Sequence, residues 1–186
     1  MKTRYLILIF LIPVVFIACG GESIEYQKAL DEEETVIPDQ LANLIKVVFF
    51  EDVWTKAILT SDKAEIYFDS QQTKLIGNVI VEYFSKSSGQ RLSKITADSA
   101  FIDDNSKDMI AYGNVVVWSD SANVKLETSI LHWNNDKLIV FTNEAIKVTS
   151  SSEVIDGYGF ESDLNFSYYK IYKVSGIKYE KISYSR

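Results

Sequence analysis

Leu75-Ile76-Gly77-Asn78-Val79-Ile80-Val81 and Ile110-Ala111-Tyr112-Gly113-Asn114-Val115-Val116-Val117 share one pattern: aliphatic and β-branched residues on either side of a Gly-Asn pair, with the glycines 36 residues apart. The flanks favour strand. A sharp bend between strands often needs φ > 0, which Gly adopts freely and Asn tolerates. Outward from each pair the surroundings repeat as well. Ala64-Glu65-Ile66-Tyr67-Phe68-Asp69 precedes the first through a polar turn. Ala97 to Asp103 precedes the second through Asp104-Asn105-Ser106-Lys107. A third unit runs from Glu127 to Trp133 through Asn134-Asn135-Asp136-Lys137 to Leu138-Ile139-Val140-Phe141-Thr142-Asn143-Glu144, with Asn143 expected at the bend. Each unit reads as strand, polar turn, strand, bend, strand, so the chain is expected to be all-β.

Val124, Leu126, Thr128 and Ile130 fall on one face of their strand, and Lys125, Glu127 and Ser129 on the other. One face is buried and the other wet. Val79-Ile80-Val81, Val115-Val116-Val117-Trp118 and Leu138-Ile139-Val140-Phe141 are apolar on both faces. Three readings fit: strands covered on both sides, an outer face hidden by a partner, or an inner face larger than a core needs, forming a groove for an apolar ligand. The candidates for an interior, groove-lining face are Phe68, Val79, Val81, Phe101, Val115, Val117, Leu126, Ile130 and Phe160. The pattern leaves the choice of face open for Phe101 and for the Val79 and Val115 strands.

Both prolines, Pro13 and Pro38, precede the repeats, so nothing beyond residue 38 interrupts a strand ladder. With one Cys (Cys19) and one His (His132), an intrachain disulfide or a Cys/His zinc cage is excluded. His132, inside the strand-like Ile130-Leu131-His132-Trp133, reads as structural. Asp98, Asp103 and Asp104, or Glu161 and Asp163, can be nominated for a carboxylate pair, and their places at turns and bends read as solvated. No catalytic residue, metal or cofactor is expected, and the protein does not read as an enzyme.

The N-terminus reads as an export signal: Lys2 and Arg4, then an apolar run from Tyr5 to Ile17 that is short of a bilayer span, then Ala18-Cys19-Gly20. Phe16-Ile17-Ala18-Cys19 resembles the lipobox of bacterial lipoproteins, with Phe16 where Leu is usual. The resemblance implies cleavage after residue 18 and acylation of Cys19, giving a stable membrane anchor. Residues 19–46, rich in Glu and Asp, read as an acidic tether, and residues 47–186 as the folded domain. The chain carries 19 Lys and Arg against 26 Asp and Glu, net −7; loss of Lys2 and Arg4 with the signal makes it −9. That balance disfavours nucleic acid as a partner and repels phosphorylated ligands.

The ordered series Leu75 to Val81, Leu92 to Ala100, Ala111 to Val117, Leu126 to Trp133 and Asp156-Gly157-Tyr158-Gly159-Phe160-Glu161-Ser162-Asp163 resembles the LptC family and related OstA-like modules of lipopolysaccharide transport. The likeness covers about Trp54 to Gly176. It implies an open, twisted, V-shaped β-jellyroll of consecutive antiparallel strands, whose inner face shelters the acyl chains of lipopolysaccharide. It also implies a periplasmic role: an inner-membrane ABC transporter loads the groove, and the lipid passes to a downstream β-jellyroll bridge protein. Many family members have a transmembrane N-terminal helix where this chain has a lipobox. Gly20 leaves open which membrane holds the anchor; the transporter partner favours the inner one. On charge alone, the acyl chains must supply the affinity. By resemblance, the end around Val47 to Leu59 docks on the transporter. The Lys-studded C-terminal segment Phe166 to Tyr184 offers an edge to the next jellyroll. The competing reading is a lipid-anchored structural or adhesin-like lipoprotein with a closed sandwich and no groove.

Overall fold

The computed structural model describes residues 37–179. The signal segment, Cys19, most of the tether and Lys181 lie outside the described residues. Nine strands follow in sequence: β1 Gln40–Glu51, β2 Trp54–Tyr67, β3 Gln72–Phe84, β4 Arg91–Asp103, β5 Met109–Ser119, β6 Val124–Asn134, β7 Ile139–Thr149, β8 Glu153–Asp163 and β9 Tyr169–Tyr179. They form one antiparallel sheet in the order β1 to β9, with every strand beside its sequence neighbours. Polar turns of the predicted kind join them, as where Asp103 accepts hydrogen bonds from the Asn105 and Ser106 amides at 2.9 and 2.8 Å. Those two donors hold the Asp103 carboxyl below its ordinary range. The sheet starts earlier than expected. Gln40 to Lys46, read from sequence as tether, already pair with Ile66 to Thr60 of β2.

The Gly-Asn bends do not separate strands; they are bulges inside long ones. In β3, Gly77 and Asn78 have φ of 77° and 45°, and in β5 Gly113 and Asn114 have 75° and 44°. At each site two residues of the odd strand face one of the next, with register breaking between Ile76 and Val79 and between Tyr112 and Val115. The preceding strand supplies a carboxylate to hold the bend: Asn78 Nδ2 donates to Asp62 at 2.8 Å and Asn114 Nδ2 to Asp98 at 2.7 Å. β7 breaks register at the equivalent place, between Thr142 and Ala145. Asn143 sits there, but unlike Asn78 and Asn114 it is not among the residues with positive φ.

These bulges line up across the sheet and crease it. On either side of the crease buried residues alternate with period 2; across it the count changes. Buried positions step by three in β2 and β4, from Ser61 to Ala64 and Ala97 to Ala100. They step by four in β3, β5 and β7, from Leu75 to Val79, Ala111 to Val115 and Thr142 to Ile146. The sheet therefore folds over on one face, and that face becomes the core. Tyr83 and Trp133 demonstrate it. The ladder from Tyr83 runs through Ser93 and Ser119 to Val124, at the opposite end of β6 from Trp133, about 30 Å away on a flat strand. Yet the two rings lie 5.9 Å apart. They meet across the interior, between two layers hinged at the crease.

Candidate functional site

The interior is closed in one place and open in another. Where β8 turns into β9, the loop carrying Asn165 and Phe166 bridges the free edges of the two layers. The Asn165 carbonyl accepts hydrogen bonds from the Ser119 and Ser121 hydroxyls, both at 3.0 Å. Phe166, 3% exposed, packs on Phe160 with ring centroids 5.5 Å apart, and Phe160 stacks on Tyr169 at 5.7 Å. Towards β1 the layers enclose a cavity of about 270 Å³. One wall is Ala57, Leu59, Val81 and Tyr83, with Phe49 and Phe50 from the β1 end; Ile102, Met109 and Trp133 form the facing wall. Burial pushes the Tyr83 phenol well up, so that hydroxyl stays uncharged at any physiological pH.

Among the described residues, the lining also includes Lys56, Lys107 and Asn135, beside the Tyr83 hydroxyl and the Trp133 indole. Lys56 pairs with Glu51 at 3.2 Å. Lys107 donates to the Asp104 carbonyl. Each ammonium keeps donors to spare, since a lysine has three.

Six of the nine sequence candidates sit on the inner face: Val79, Val81, Val115, Val117, Leu126 and Phe160 are all buried. Of these, Val81 lines the cavity itself. The other three lie elsewhere, for one of two reasons. Phe68 is 56% exposed because β2 ends at Tyr67 and the chain turns there, with the Gln71 amide bonding back to the Phe68 carbonyl at 3.2 Å. Phe101 and Ile130 lie beyond the crease, where the change of face puts Ala100 and Leu131 inside. Phe101 is 36% exposed on the outer face, edge-on to Tyr112 at 5.9 Å with the Lys74 ammonium 5.8 Å from its ring. Ile130 pairs with Tyr112 on that same face.

Leu59, Tyr83, Met109 and Trp133 are cavity residues that sequence reasoning missed. The strand alternation through Ala57, Leu59 and Ser61 marked the first; Trp133 was legible only with the crease. His132 stacks on Phe141 at 4.9 Å on the outer face, in agreement with a structural role. The nominated carboxylates also have structural partners. Asp98 holds Asn114, Asp104 accepts from the Thr73 hydroxyl at 2.9 Å, Glu161 from the Tyr172 phenol at 3.2 Å, and Asp163 from the Ser167 amide at 2.8 Å.

An unclosed sheet of consecutive antiparallel strands, folded over an apolar interior, defines an open β-jellyroll. Among solved structures, LptH, described as the LptA-homologous periplasmic component of the conserved lipopolysaccharide transport device from Pseudomonas aeruginosa, shares this fold with a TM-score of 0.51. Identity is 15%, over 67% of this chain and 94% of that one. The chain belongs to the family described as lipopolysaccharide-assembly, LptC-related, whose model matches residues 5–180. A search of curated proteins finds no match.

Proposed function

We propose that this protein is a membrane-anchored, periplasmic component of a lipopolysaccharide transport bridge, and that the space between its two layers shelters acyl chains in transit. The observation that carries the reading is the cavity: an apolar interior held open beside β1, in a chain of the lipopolysaccharide-assembly family. Burial of apolar surface at roughly 25 cal/mol per Å² makes a few methylenes worth several kcal/mol, enough to hold a chain and weak enough to hand it on. The protein's part is passive, with energy supplied by an inner-membrane ABC transporter.

Both sheet edges suit the expected relay, since β1 and β9 each pair on one side only. β1 presents exposed Leu41, Leu44, Phe49 and Phe50 towards the transporter end. β9 presents Lys170, Lys173 and Lys178 between exposed Tyr172, Val174 and Ile177, which suits addition of a strand from the downstream jellyroll while discouraging self-pairing. Acylated Cys19 holds the protein on the membrane, with residues 20–39 as the spacer.

Two measurements test this. A photo-crosslinker at Val81 or Met109 should capture lipopolysaccharide in cells, whereas the same group at Phe101 or Ile130, on the outer face, should not; equal capture at both sets would sink the groove. Mass spectrometry of the mature protein should find it beginning at an acylated Cys19, and Cys19→Ala should accumulate as unprocessed precursor. A mature chain starting elsewhere would remove the anchor from the proposal. A closed structural sandwich, the alternative, would bind neither lipid nor a hydrophobic dye.

A further inference from the structure

Away from the crease, the only hydrogen bonds that cross from one layer to the other, among the described residues, are those from the Ser119 and Ser121 hydroxyls to the Asn165 carbonyl. Both are neutral bonds, which water replaces at little net loss. The other bonds of that loop stay on its own side. The Phe166 amide donates to the Asp163 carbonyl at 3.2 Å, the Ser167 amide to Asp163 Oδ1 at 2.8 Å, and the Ser162 hydroxyl to the Tyr168 carbonyl at 2.9 Å. The segment 164–168 is therefore hinged on β8 and β9 and only latched to the layer opposite.

Two features work against the latched form. Phe166 has a φ of 54°, a left-handed conformation that a bulky residue holds only where its surroundings impose it. Asn165 Oδ1 is buried with no hydrogen-bond partner among the described residues, and so is Ser93 Oγ, beside Ser119 in the β4–β5 ladder. Swinging the loop out relaxes the backbone and lets water reach these atoms. What opposes release is the burial of one ring, Phe166, against Phe160. An apolar chain can supply that same contact.

We infer that the segment 164–168 is a gate across the interior, with Phe166 as a plug that an advancing acyl chain displaces. The inference rests on the reading of the interior as a lipid path and adds its regulation. With the gate closed, the path ends at Phe166 and a chain is confined to the cavity beside β1. That cavity, about 270 Å³, takes roughly nine methylenes at ~30 Å³ each, so a longer chain has to run on along the crease. There it takes the ring's place on Phe160, and the loop parts from Ser119 and Ser121. Ring and chain cannot share the space, so a long chain binds only the open form and shifts the population towards it. The interior is then continuous to β9, the edge proposed above for the downstream jellyroll.

The test uses the full chain in amphipol with 4-fluorophenylalanine in place of phenylalanine. The Phe166 fluorine resonance is the one missing from Phe166→Leu, and its solvent isotope shift separates a buried ring from a released one. Lipopolysaccharide and palmitoyl-lysophosphatidylcholine, a single long chain, should each release the ring at saturation. Hexanoyl-lysophosphatidylcholine, whose chain fits the cavity, should leave it buried. The double variant Ser119→Ala, Ser121→Ala, which keeps the ring and the core, should raise the released population without any ligand. Removing the competitor should also tighten binding: by tryptophan fluorescence, Phe166→Ala should take the palmitoyl probe about 10-fold more tightly, as for an open form populated at about one in ten. Phe166→Leu, which still fills the space, should not gain. A ring with only a packing role predicts weaker binding as the domain loosens. A resonance that stays buried at saturation with both long-chain probes, or affinity no higher in Phe166→Ala and the double serine variant alike, would overturn the gate. Release by the palmitoyl probe but not by lipopolysaccharide would uphold the gate and refute the transport reading. Capture of lipopolysaccharide at Val81 with Phe166 still buried at saturation would refute the gate alone.

Discussion

Phe160→Ala is expected to lower stability by about 3–5 kcal/mol, the usual cost of deleting a fully buried aromatic ring that its surroundings cannot collapse to fill. Phe160 is 0% exposed, and its ring is held between Phe166 and Tyr169, so the void opens where the β8–β9 loop closes the two layers. In thermal denaturation the midpoint should fall by about 10 °C or more for a domain of this size. Tyr158→Ala, two residues away on the outer face and 54% exposed, is the control and should cost about 0.5 kcal/mol or less. Similar losses at both positions would mean that the interior is not packed around Phe160 as described. Loosening the Phe166 contact should also raise hydrophobic dye binding before the main transition, because that ring covers the end of the core away from the cavity.

Gly113→Val carries the second large effect, and it acts on the crease. With φ at 75°, any L residue there costs about 1–2 kcal/mol, more when β-branched. A Cβ would also lie 3.0 Å from both Cβ and Cγ of Asp98 and closer still to its Oδ2. Asp98 would have to move and give up its bond to Asn114. Together these amount to about 3–4 kcal/mol, read as a drop in the urea midpoint at unchanged slope. Two companions separate the contributions. Gly89→Ala, at φ 67° with nothing within 4 Å of the new Cβ, should show only the conformational cost of about 1–2 kcal/mol. Asp98→Ala in the Gly113→Val background should recover part of the loss, since it clears Cγ and Oδ2 from the collision; strict additivity of the two changes would refute the proposed clash.

Strands, turns and bend positions were legible because their causes are local. The polar turn 104–107 and the absence of proline after Pro38 needed no tertiary information, and neither did the positive φ at Gly77-Asn78 and Gly113-Asn114. Asn143 shows the limit. The third unit carries the bulge at the expected place without the left-handed conformation, so repeat position located the device but did not dictate its backbone. The same holds at the N-terminus of the domain. An acidic, polar flank read as tether continues into Gln40 to Lys46, which pair with β2 because an amphipathic strand can form wherever an edge is available to it.

By itself, then, the sequence determined an all-β chain, its turn chemistry, the approximate repeat of bends, and the short list of apolar residues from which an interior is built. The tertiary structure decided which of them face it. A period-2 pattern is a property of one strand and fails wherever a bulge changes the residue count, so Ile130 and Phe101, correctly apolar, end up outside while Leu131 and Ala100 go in. It decided the cavity too, since Leu59 and Met109 become neighbours of one space only when the sheet folds at the crease.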